Sequence, residues 1–350
     1  MSRLHPLALA AACAALLAAE PAAAIQVHQG DLLVTDSANA RVLLVDPTTG
    51  AVSVFSPRMV WDHNYLFSPA GVAIDPGGPI FVADSFADYI VAIDPTTGVQ
   101  SVVHDFSVMF GDFGPSDVGT APTGLGLQPS AAGLDYRDLF VASAQGVYQV
   151  SRSFDGNSTS LLSGVADLQN GNDVAVQEDQ GSLYSLWVVA GGVLVRYFFA
   201  DGSTQVLSQT DAKNVHGVDY FGNTALFTRT VDCGFLASLA GLFRYDGPIG
   251  GTQVADISLS SCLGRAIAVA SPTSVFATFG ADQIVELVPS IDGYQGSVVA
   301  TLPQGTVAPV AADLAVSPTT FPAPEPPAAG LALAALAALL ARARRRQLPR

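Results

Sequence analysis

The sequence predicts an all-β fold built from a repeated four-stranded unit, and three observations point to it. Of the 30 acidic residues in this 350-residue chain, 26 are Asp and only four are Glu. Asp favours turns and caps, whereas Glu favours helix interiors. Gly and Pro are abundant, at 33 and 22 residues, and no long amphipathic helical pattern precedes the C-terminal tail. Short apolar runs recur between turn residues with a period of about 40–50 residues, which is typical of a repeat architecture.

The clearest copy of the unit spans residues 68–103. Its predicted strands are 68–75, 80–85, 89–94 and 99–103. The N-terminal segment 31–55 repeats the last three strands, and both copies contain the pentapeptide Asp-Pro-Thr-Thr-Gly, at 46–50 and at 94–98. Pro fixes φ and Gly supplies a position of positive φ, so this pentapeptide predicts a hairpin turn.

Weaker copies follow, and the two ends of the repeat complement each other. The first strands of these copies start at Pro122, Asn172, His216 and Arg265. Segment 31–55 lacks a first strand, and 312–316 is a first strand with nothing after it. We expect 312–316 to complete the sheet begun by 31–55, because a ring closed by both termini hides its edges. Five whole units and one split unit predict a six-bladed β-propeller over residues 25–320.

One repeat also carries a family pattern. Residues 68–95 follow the NHL repeat, in which a Pro-x-Gly-x-Ala-x-Asp strand precedes a Val-Ala-Asp-Ser turn and an Ile-rich strand; residues 31–47 follow it in part. The chain therefore resembles the six-bladed propellers of the NHL, SMP-30/gluconolactonase and streptogramin-lyase group. This resemblance implies the fold, and it says little about function because one fold hosts many functions.

Both termini carry export features. Residues 1–24 are predicted to be a signal peptide, with Arg3 before an apolar run and the small residues 22–24 before the cleavage site. Residues 321–350 combine a Pro-Glu-Pro triplet, an apolar run at 328–341 and a basic end. The residues of the triplet and of the basic end are Pro324, Glu325, Pro326, Arg342, Arg344, Arg345 and Arg346. A helix of about 14 residues is roughly 21 Å long, which is short for a hydrocarbon core of about 30 Å.

This tail resembles the PEP-CTERM signal of Gram-negative bacteria, which an exosortase processes near the triplet. The alternative is a simple C-terminal membrane anchor. The resemblance implies a chain that is exported, held transiently in the membrane by the tail helix, trimmed, and displayed at the cell surface or released into exopolysaccharide. Its implied partners are the export machinery, the exosortase, and exopolysaccharide or another surface protein.

The charge of the predicted mature span excludes one class of partner. Residues 25–320 keep nine Lys and Arg against 28 Asp and Glu, a net charge of −19, compared with −15 for the whole chain. Such a surface repels nucleic acid and anionic lipid. We therefore expect no nucleic-acid partner.

Candidate sites lie on the face that carries the connections between blades. Long loops on a rigid scaffold are the usual place for binding. The long loops on this face therefore supply the ligand-binding candidates, which are Trp61, His63, Tyr65, Phe110 and Asp112. The alternative is that these side chains pack as loop cores. Cys233 and Cys262 fall on the same face of adjacent blades, and we predict a disulfide between them because export supplies an oxidising compartment.

The six inner strands align on a shared pattern of small residues. The aligned small or acidic positions are Gly71, Gly124, Asp173, Gly217, Ala266 and Asp313. The residues just before them are Ala70, Thr123, Asn172, His216, Arg265 and Ala312. Asn172, His216 and Arg265 are the catalytic candidates, because they are polar and come from consecutive blades.

The residues of the same column can be compared with the metal ligands of a related propeller group. In the SMP-30/gluconolactonase group this column holds Glu, Asn and Asp ligands for a divalent cation. Here only Asn172 matches, and Arg265 adds a positive charge. Asp173 and Asp313 could add oxygens only if the register were shifted by one residue. We expect no cofactor, with calcium as the alternative.

These observations favour a non-catalytic binding or scaffold protein. The sequence predicts both an exported location and a propeller fold. It contains no catalytic motif such as a Gly-x-Ser-x-Gly elbow or a His-Glu-x-x-His pair. The alternative function is a lactonase- or lyase-like enzyme that acts at the mouth of the central channel.

Overall fold

A computed structural model gives the fold. The described residues are 26–56, 65–106, 123–128, 138–152, 157–162, 166–179, 182–207, 215–221, 224–234, 237–245, 252–257, 264–279, 282–290, 293–318 and 321. They form strands and one short 3₁₀ turn at Ala166–Leu168. Among them, no helix has the length and apolar character needed to cross a membrane.

The strands follow one another along the chain in six groups. In the first half of the chain they are β1 (Leu32–Asp36), β2 (Arg41–Asp46), β3 (Ala51–Ser56), β4 (Pro69–Ile74), β5 (Ile80–Asp84), β6 (Tyr89–Ile93), β7 (Gln100–Asp105), β8 (Gly124–Leu127), β9 (Leu139–Ser143), β10 (Gly146–Ser151) and β11 (Ser158–Leu161). In the second half they are β12 (Gly171–Asp179), β13 (Ser182–Ala190), β14 (Val193–Phe198), β15 (Thr204–Val206), β16 (Val215–Phe221), β17 (Thr224–Gly234), β18 (Ala237–Tyr245), β19 (Thr252–Ile257), β20 (Gly264–Ser271), β21 (Ser274–Phe279), β22 (Gln283–Ser290), β23 (Gly293–Thr301) and β24 (Ala311–Val316).

These strands form six four-stranded antiparallel sheets, which confirms the predicted propeller. Blade 1 has the order β24-β1-β2-β3, and blades 2 to 6 are β4–β7, β8–β11, β12–β15, β16–β19 and β20–β23. The first strand of each blade contacts the first strands of both neighbouring blades, so β24, β4, β8, β12, β16 and β20 close a ring around one axis. The turns between second and third strands and the connections between blades lie on one face, called the upper face below. The other turns lie on the lower face.

Blade 1 is closed by the C-terminal strand, as the split repeat predicts. β24 pairs antiparallel with β1, with Leu33 opposite Ala315 and Val34 opposite Leu314. Phe321 then packs into the blade 1–blade 2 core and is 5% exposed. Its N–H donates to the Val27 carbonyl at 2.9 Å, and its carbonyl accepts from Gln26 Nε2 at 3.0 Å. Phe321, placed by the sequence at the start of the sorting segment, thus packs with the propeller, because its ring completes this core.

The two Asp-Pro-Thr-Thr-Gly segments are hairpin turns on the lower face, as predicted. In the first, both carboxylate oxygens of Asp46 accept bonds from Thr48 and Thr49, at 2.6 Å from each hydroxyl. Gly50 and Gly98 have φ of 72° and 70°. A Cβ on Gly50 would lie 2.6 Å from the Val299 carbonyl oxygen of blade 6, so glycine also permits close contact between blades there.

The Asp84 carboxylate organises the upper face of blade 2. Its oxygens accept the backbone N–H groups of Phe67, Ser68, Phe86 and Ala87 at 2.5 to 3.1 Å. One carboxylate therefore ties the connection that enters β4 to the turn between β5 and β6. Because Asp84 is fully buried, its role in the fold is to satisfy four backbone donors.

Asp84→Ala is expected to lower the free energy of unfolding by about 2–3 kcal/mol, because it leaves backbone donors without their charged acceptor. Urea unfolding would measure the change. Asp94→Ala is the matched control: its carboxylate bonds Thr96 and Thr97 in an exposed turn, and water can replace it there, so we expect a loss of about 1 kcal/mol or less. Equal losses for the two variants would contradict this account.

Candidate functional site

The channel mouth is built from irregularities in the inner strands. In five of the six inner strands the pairing with the second strand shifts near the upper end. The residues left out of the ladder include Ala70, Asn172, His216, Arg265 and Ala312. These shifts are β-bulges, which bend a strand and re-aim one side chain. Five of the six residues in the column aligned from the sequence are therefore bulge residues.

A hydroxyl on the second strand holds three of the bulges in place. The N–H that follows the bulge residue donates to a threonine Oγ1: Asp313 to Thr35 at 2.9 Å, Gly217 to Thr228 at 3.1 Å, and Ala266 to Thr278 at 2.9 Å. All three threonines are buried. The side-chain bond replaces the ladder bond that the bulge removes, so the local irregularity leaves no orphaned donor.

The bulges bring two of the three catalytic candidates to one rim. Asn172 is exposed in blade 4 and His216 is half-buried in blade 5. Arg265 occupies the corresponding backbone position in blade 6, and its side chain lies outside the described part of the chain. In blade 3 the Thr123 hydroxyl is used to bond the Gly171 carbonyl at 2.7 Å. Among the described side chains, polar groups therefore follow one another at this end of the inner strands in blades 3, 4 and 5, and the role of these residues stays a prediction.

Three carboxylates lie within the ring, and each joins two blades. Asp313 accepts the N–H of Leu314 in its own strand and of Val72 in blade 2, both at 2.8 Å. Asp173 does the same with Val174 and with Val218 of blade 5, both at 2.8 Å. Asp219 accepts from Tyr220 and from Val269 of blade 6, both at 2.7 Å. Each carboxylate therefore supplies an acceptor to its neighbouring inner strand.

Burial dominates the protonation of these groups. Desolvation raises the pKa of Asp173 to about 7 and that of Asp219 to about 6, although two backbone donors act in the opposite direction in each case. Desolvation also raises the pKa of Asp313 well above its usual range, with a further contribution from the charges of Asp173 and Asp219. The three carboxylates therefore influence one another within the ring.

These carboxylates do not fit the divalent-cation site that the propeller resemblance implies. Asp173 and Asp313 point both oxygens at backbone donors that belong to the ring. A hard cation needs several converging oxygens. Among the described residues, no three His, Cys, Asp or Glu side chains are arranged to hold a metal ion.

Of the ligand-binding candidates in the loops, only Tyr65 lies among the described residues. Tyr65 is half-buried, its ring packs edge-on against Tyr89 with centroids 6.2 Å apart, and its N–H donates to Gln100 Oε1 at 3.1 Å. It therefore packs as a loop core. Trp61, His63, Phe110 and Asp112 lie outside the described residues. So do Cys262 and the side chain of Cys233, and the predicted disulfide stays a prediction.

Sequence reasoning missed Asp219, and it placed Phe67 in a long loop without pairing it with Phe86. Asp219 stands two residues beyond the aligned position and reads as an ordinary strand residue. Its signal is an acidic side chain two residues beyond the small residue of an inner strand, between Val218 and Tyr220. Phe67 and Phe86 are 44% and 64% exposed, with ring centroids 6.1 Å apart. Each flanks a turn fixed by Asp84, and the spacing between them in sequence gives no hint of contact.

A separate depression lies on the lower face. It measures about 770 Å³ and is lined by the turns 76–79 and 94–99 together with Phe321. Its one carboxylate, Asp94, is bonded within its own turn. Among the described residues that line this depression, the only titratable side chain is thus already bonded within its own turn.

Solved structures share this fold at low sequence identity. A nidogen–laminin complex contains a chain that matches 82% of this chain and 98% of its own length, with 11% identity and a TM-score of 0.57. A catalytically inactive histidine-to-alanine variant of virginiamycin B lyase from Staphylococcus aureus, with quinupristin, matches 79% of this chain and 88% of its own, with 13% identity and a TM-score of 0.50. No family model and no curated protein sequence matches the chain. The similarity defines a β-propeller, a class whose members bind ligands or catalyse reactions.

The inner carboxylates predict that stability falls as pH rises. An unfolded Asp loses its proton near pH 4, whereas Asp173 and Asp219 keep theirs in the folded chain to about pH 7 and 6. The folded state then binds more protons than the unfolded state, so the free energy of unfolding decreases with pH in this window. We expect a loss of about 2–4 kcal/mol between pH 5 and 8, measured by urea unfolding.

Asp173→Asn provides the control. It keeps one acceptor and removes the ionisation, so the dependence on pH should become shallower even though a bond is lost. Burial lowers the pKa of His104, so this residue makes the free energy of unfolding rise with pH. Its contribution is confined to pH values below about 6.5. A stability that is constant or rises from pH 6.5 to 8 would contradict the assignment.

Proposed function

We propose that this chain is an exported propeller with a non-catalytic binding or scaffold role at the cell surface or in the extracellular matrix. The observation that carries the proposal is the engagement of its inner carboxylates. Asp173, Asp219 and Asp313 each accept one N–H from their own strand and one from the next blade. Acid–base and metal-dependent chemistry needs groups placed to take a proton or hold a cation, and these three serve the ring.

The proposed location rests on the two ends of the chain. Residues 1–24 act as the signal peptide, and residues 321–350 carry the sorting signal that an exosortase processes near Glu325. Pro324 follows Phe321, the last described residue and one that is bonded to Val27, by only three positions. Cleavage near the triplet therefore leaves all the described strands, β1 to β24, in the mature chain. Exopolysaccharide or another surface protein is the proposed partner.

A second candidate function is a lactonase- or lyase-like enzyme. The observation in its favour is that the bulges place Asn172 and His216 on one rim of the channel, next to the backbone position of Arg265. Bulges recur beside active sites because they re-aim side chains. In the similar virginiamycin B lyase, the catalytically inactive variant carries alanine in place of a histidine.

Turnover measurements separate the two functions. We expect the full-length chain to hydrolyse lactones and sugar esters no faster than background, and His216→Ala and Asn172→Ala to behave like the parent. Turnover by the parent that falls by about 10²–10⁴ in His216→Ala would identify a general base. That result would replace the binding role with the enzymatic one.

Cleavage of the two ends of the chain tests the proposed export and sorting. In a Gram-negative host with an exosortase, intact-mass measurement of the exported chain should show the loss of both the signal peptide and the arginine-rich end. Glu325→Gln, which removes the charge of the triplet at constant size, should retain the tail. Pro327→Ala, one position outside the triplet, is the control and should be trimmed normally. An exported parent chain that keeps its tail would refute the sorting signal.

A further inference from the structure

The depression on the lower face lies at the point where the described chain ends. Phe321 is the last described residue, and it lines the depression. Its position is fixed, because it is 5% exposed and its N–H donates to the Val27 carbonyl at 2.9 Å. Pro322 follows it directly in the sequence. The chain therefore leaves the propeller from a defined point in the wall of the depression.

The wall of the depression suits an apolar chain. Three prolines and a valine contribute to it, namely Pro76, Pro79, Pro95 and Val99. Asp94, the one charged residue in the described part of the wall, is engaged in its own turn. The volume of about 770 Å³ lies within the range of roughly 300–1,000 Å³ that is usual for pockets that enclose a small ligand. The depression can therefore take the side chains of a short segment.

Val99 is the feature that distinguishes this turn from its copy in blade 1. The residue that follows Asp-Pro-Thr-Thr-Gly is Ala51 in blade 1 and Val99 in blade 2, and both are exposed. Val99 is 64% exposed, and no large apolar side chain among the described residues is more exposed. Val99 lines the depression, whereas Ala51 is not among the described residues that do so. Covering Val99 would remove apolar surface from water, which is favourable.

The sequence after Phe321 is preorganised for such a surface. Residues 322–326 are Pro-Ala-Pro-Glu-Pro. Proline fixes its own φ and restricts the residue before it to extended conformations, so all five positions favour a polyproline II helix. This helix has three residues per turn, so Glu325 and the prolines on either side of it point in different directions. The prolines can thus contact the apolar wall while the carboxylate stays in water.

The covalent link favours this segment over a separate molecule. Because Pro322 directly follows an anchored residue, the segment has a high effective concentration at the depression. Its restricted backbone also reduces the entropy lost on docking. Proline-rich segments bind apolar grooves in other proteins for the same reason. A weak contact is therefore sufficient to keep most molecules in the docked state.

We propose that residues 322–326 dock in the depression on the lower face of blade 2, and that the propeller thereby shields the Pro-Glu-Pro triplet from proteolysis. The docking deepens the sorting function proposed above and rests on it for its biological role. Trimming of the tail then depends on release of the segment from the propeller. Contact with Val99 sets the fraction of molecules in which the triplet is accessible.

Limited proteolysis of the full-length chain in detergent micelles measures this fraction. The probe is a prolyl endoprotease that cleaves intact proteins, and mass spectrometry follows cleavage of the bond between Pro324 and Glu325. A synthetic peptide of residues 318–330 gives the rate for the free segment. When docking and release are fast, cleavage reports the released fraction, so we expect the full-length chain to be cleaved at least about tenfold more slowly than the peptide.

Matched substitutions in the two turns locate the docking surface. Val99→Asp places a charge in the apolar wall and should bring cleavage to within about threefold of the peptide rate. Val99→Ala removes apolar surface without adding charge and should accelerate cleavage by about 2–5-fold. Ala51→Asp adds the same charge to the equivalent turn of blade 1 and should leave cleavage as slow as in the parent. Because both positions are exposed, equal thermal midpoints are expected and verify that the variants are folded.

Three results would overturn the docking. They are cleavage of the full-length chain at the peptide rate, slow cleavage that Val99→Asp leaves unchanged, and equal acceleration by Val99→Asp and Ala51→Asp. The measurement contains no exosortase, so it is independent of the processing test. An exported chain that keeps its tail would refute the sorting signal and leave the docking standing, whereas an undocked segment would leave the sorting signal untouched.

Discussion

The closed ring of inner strands is the constraint on which the rest of the molecule depends. Six strands must approach one axis closely, and each must leave no backbone donor of its neighbour unsatisfied. Carboxylates solve this at the junctions after blades 1, 4 and 5, through Asp313, Asp173 and Asp219. Glycine serves after blades 2 and 3: a Cβ on Gly124 would lie 2.5 Å from the Asp173 Cα, and one on Gly71 would lie 2.8 Å from the Leu125 nitrogen. Small size and acceptor chemistry are thus alternative means of closing the same contact.

The acidic means of closure carries an electrostatic cost. A carboxylate that leaves water loses its hydration free energy, and hydrogen bonds from two backbone donors offset only part of that loss. The raised pKa values of the three inner carboxylates express this balance. The many acidic residues of the chain therefore do more than keep its surface soluble. Some of its acids hold the ring together, whereas the bulges leave Asn172 exposed and His216 half-buried at the rim.

Local sequence patterns predicted most of the fold. The repeated Asp-Pro-Thr-Thr-Gly turns, the alternation of apolar runs and the unmatched strand at 312–316 were sufficient for six blades and for the split blade. The rim could be predicted only as a column, because a bulge depends on the pairing of two strands and leaves no mark in one of them. The bridge from Asp219 to Val269 crosses blades, so neither segment alone contains its signal. Phe67 and Phe86 are brought together by Asp84, through bonds to the backbone that are independent of side-chain type.

The pairing of β24 with β1 has a consequence for the order of events during biogenesis. The first three strands to be synthesised belong to a blade whose inner strand is among the last, about 280 positions later. Until that strand arrives, β1 presents an unpaired edge, which is a template for wrong partners. Contacts of such long sequence separation also form slowly. A nascent chain of this architecture therefore spends its synthesis with an open seam, and any factor that delays its C-terminal strand prolongs the period in which it can aggregate.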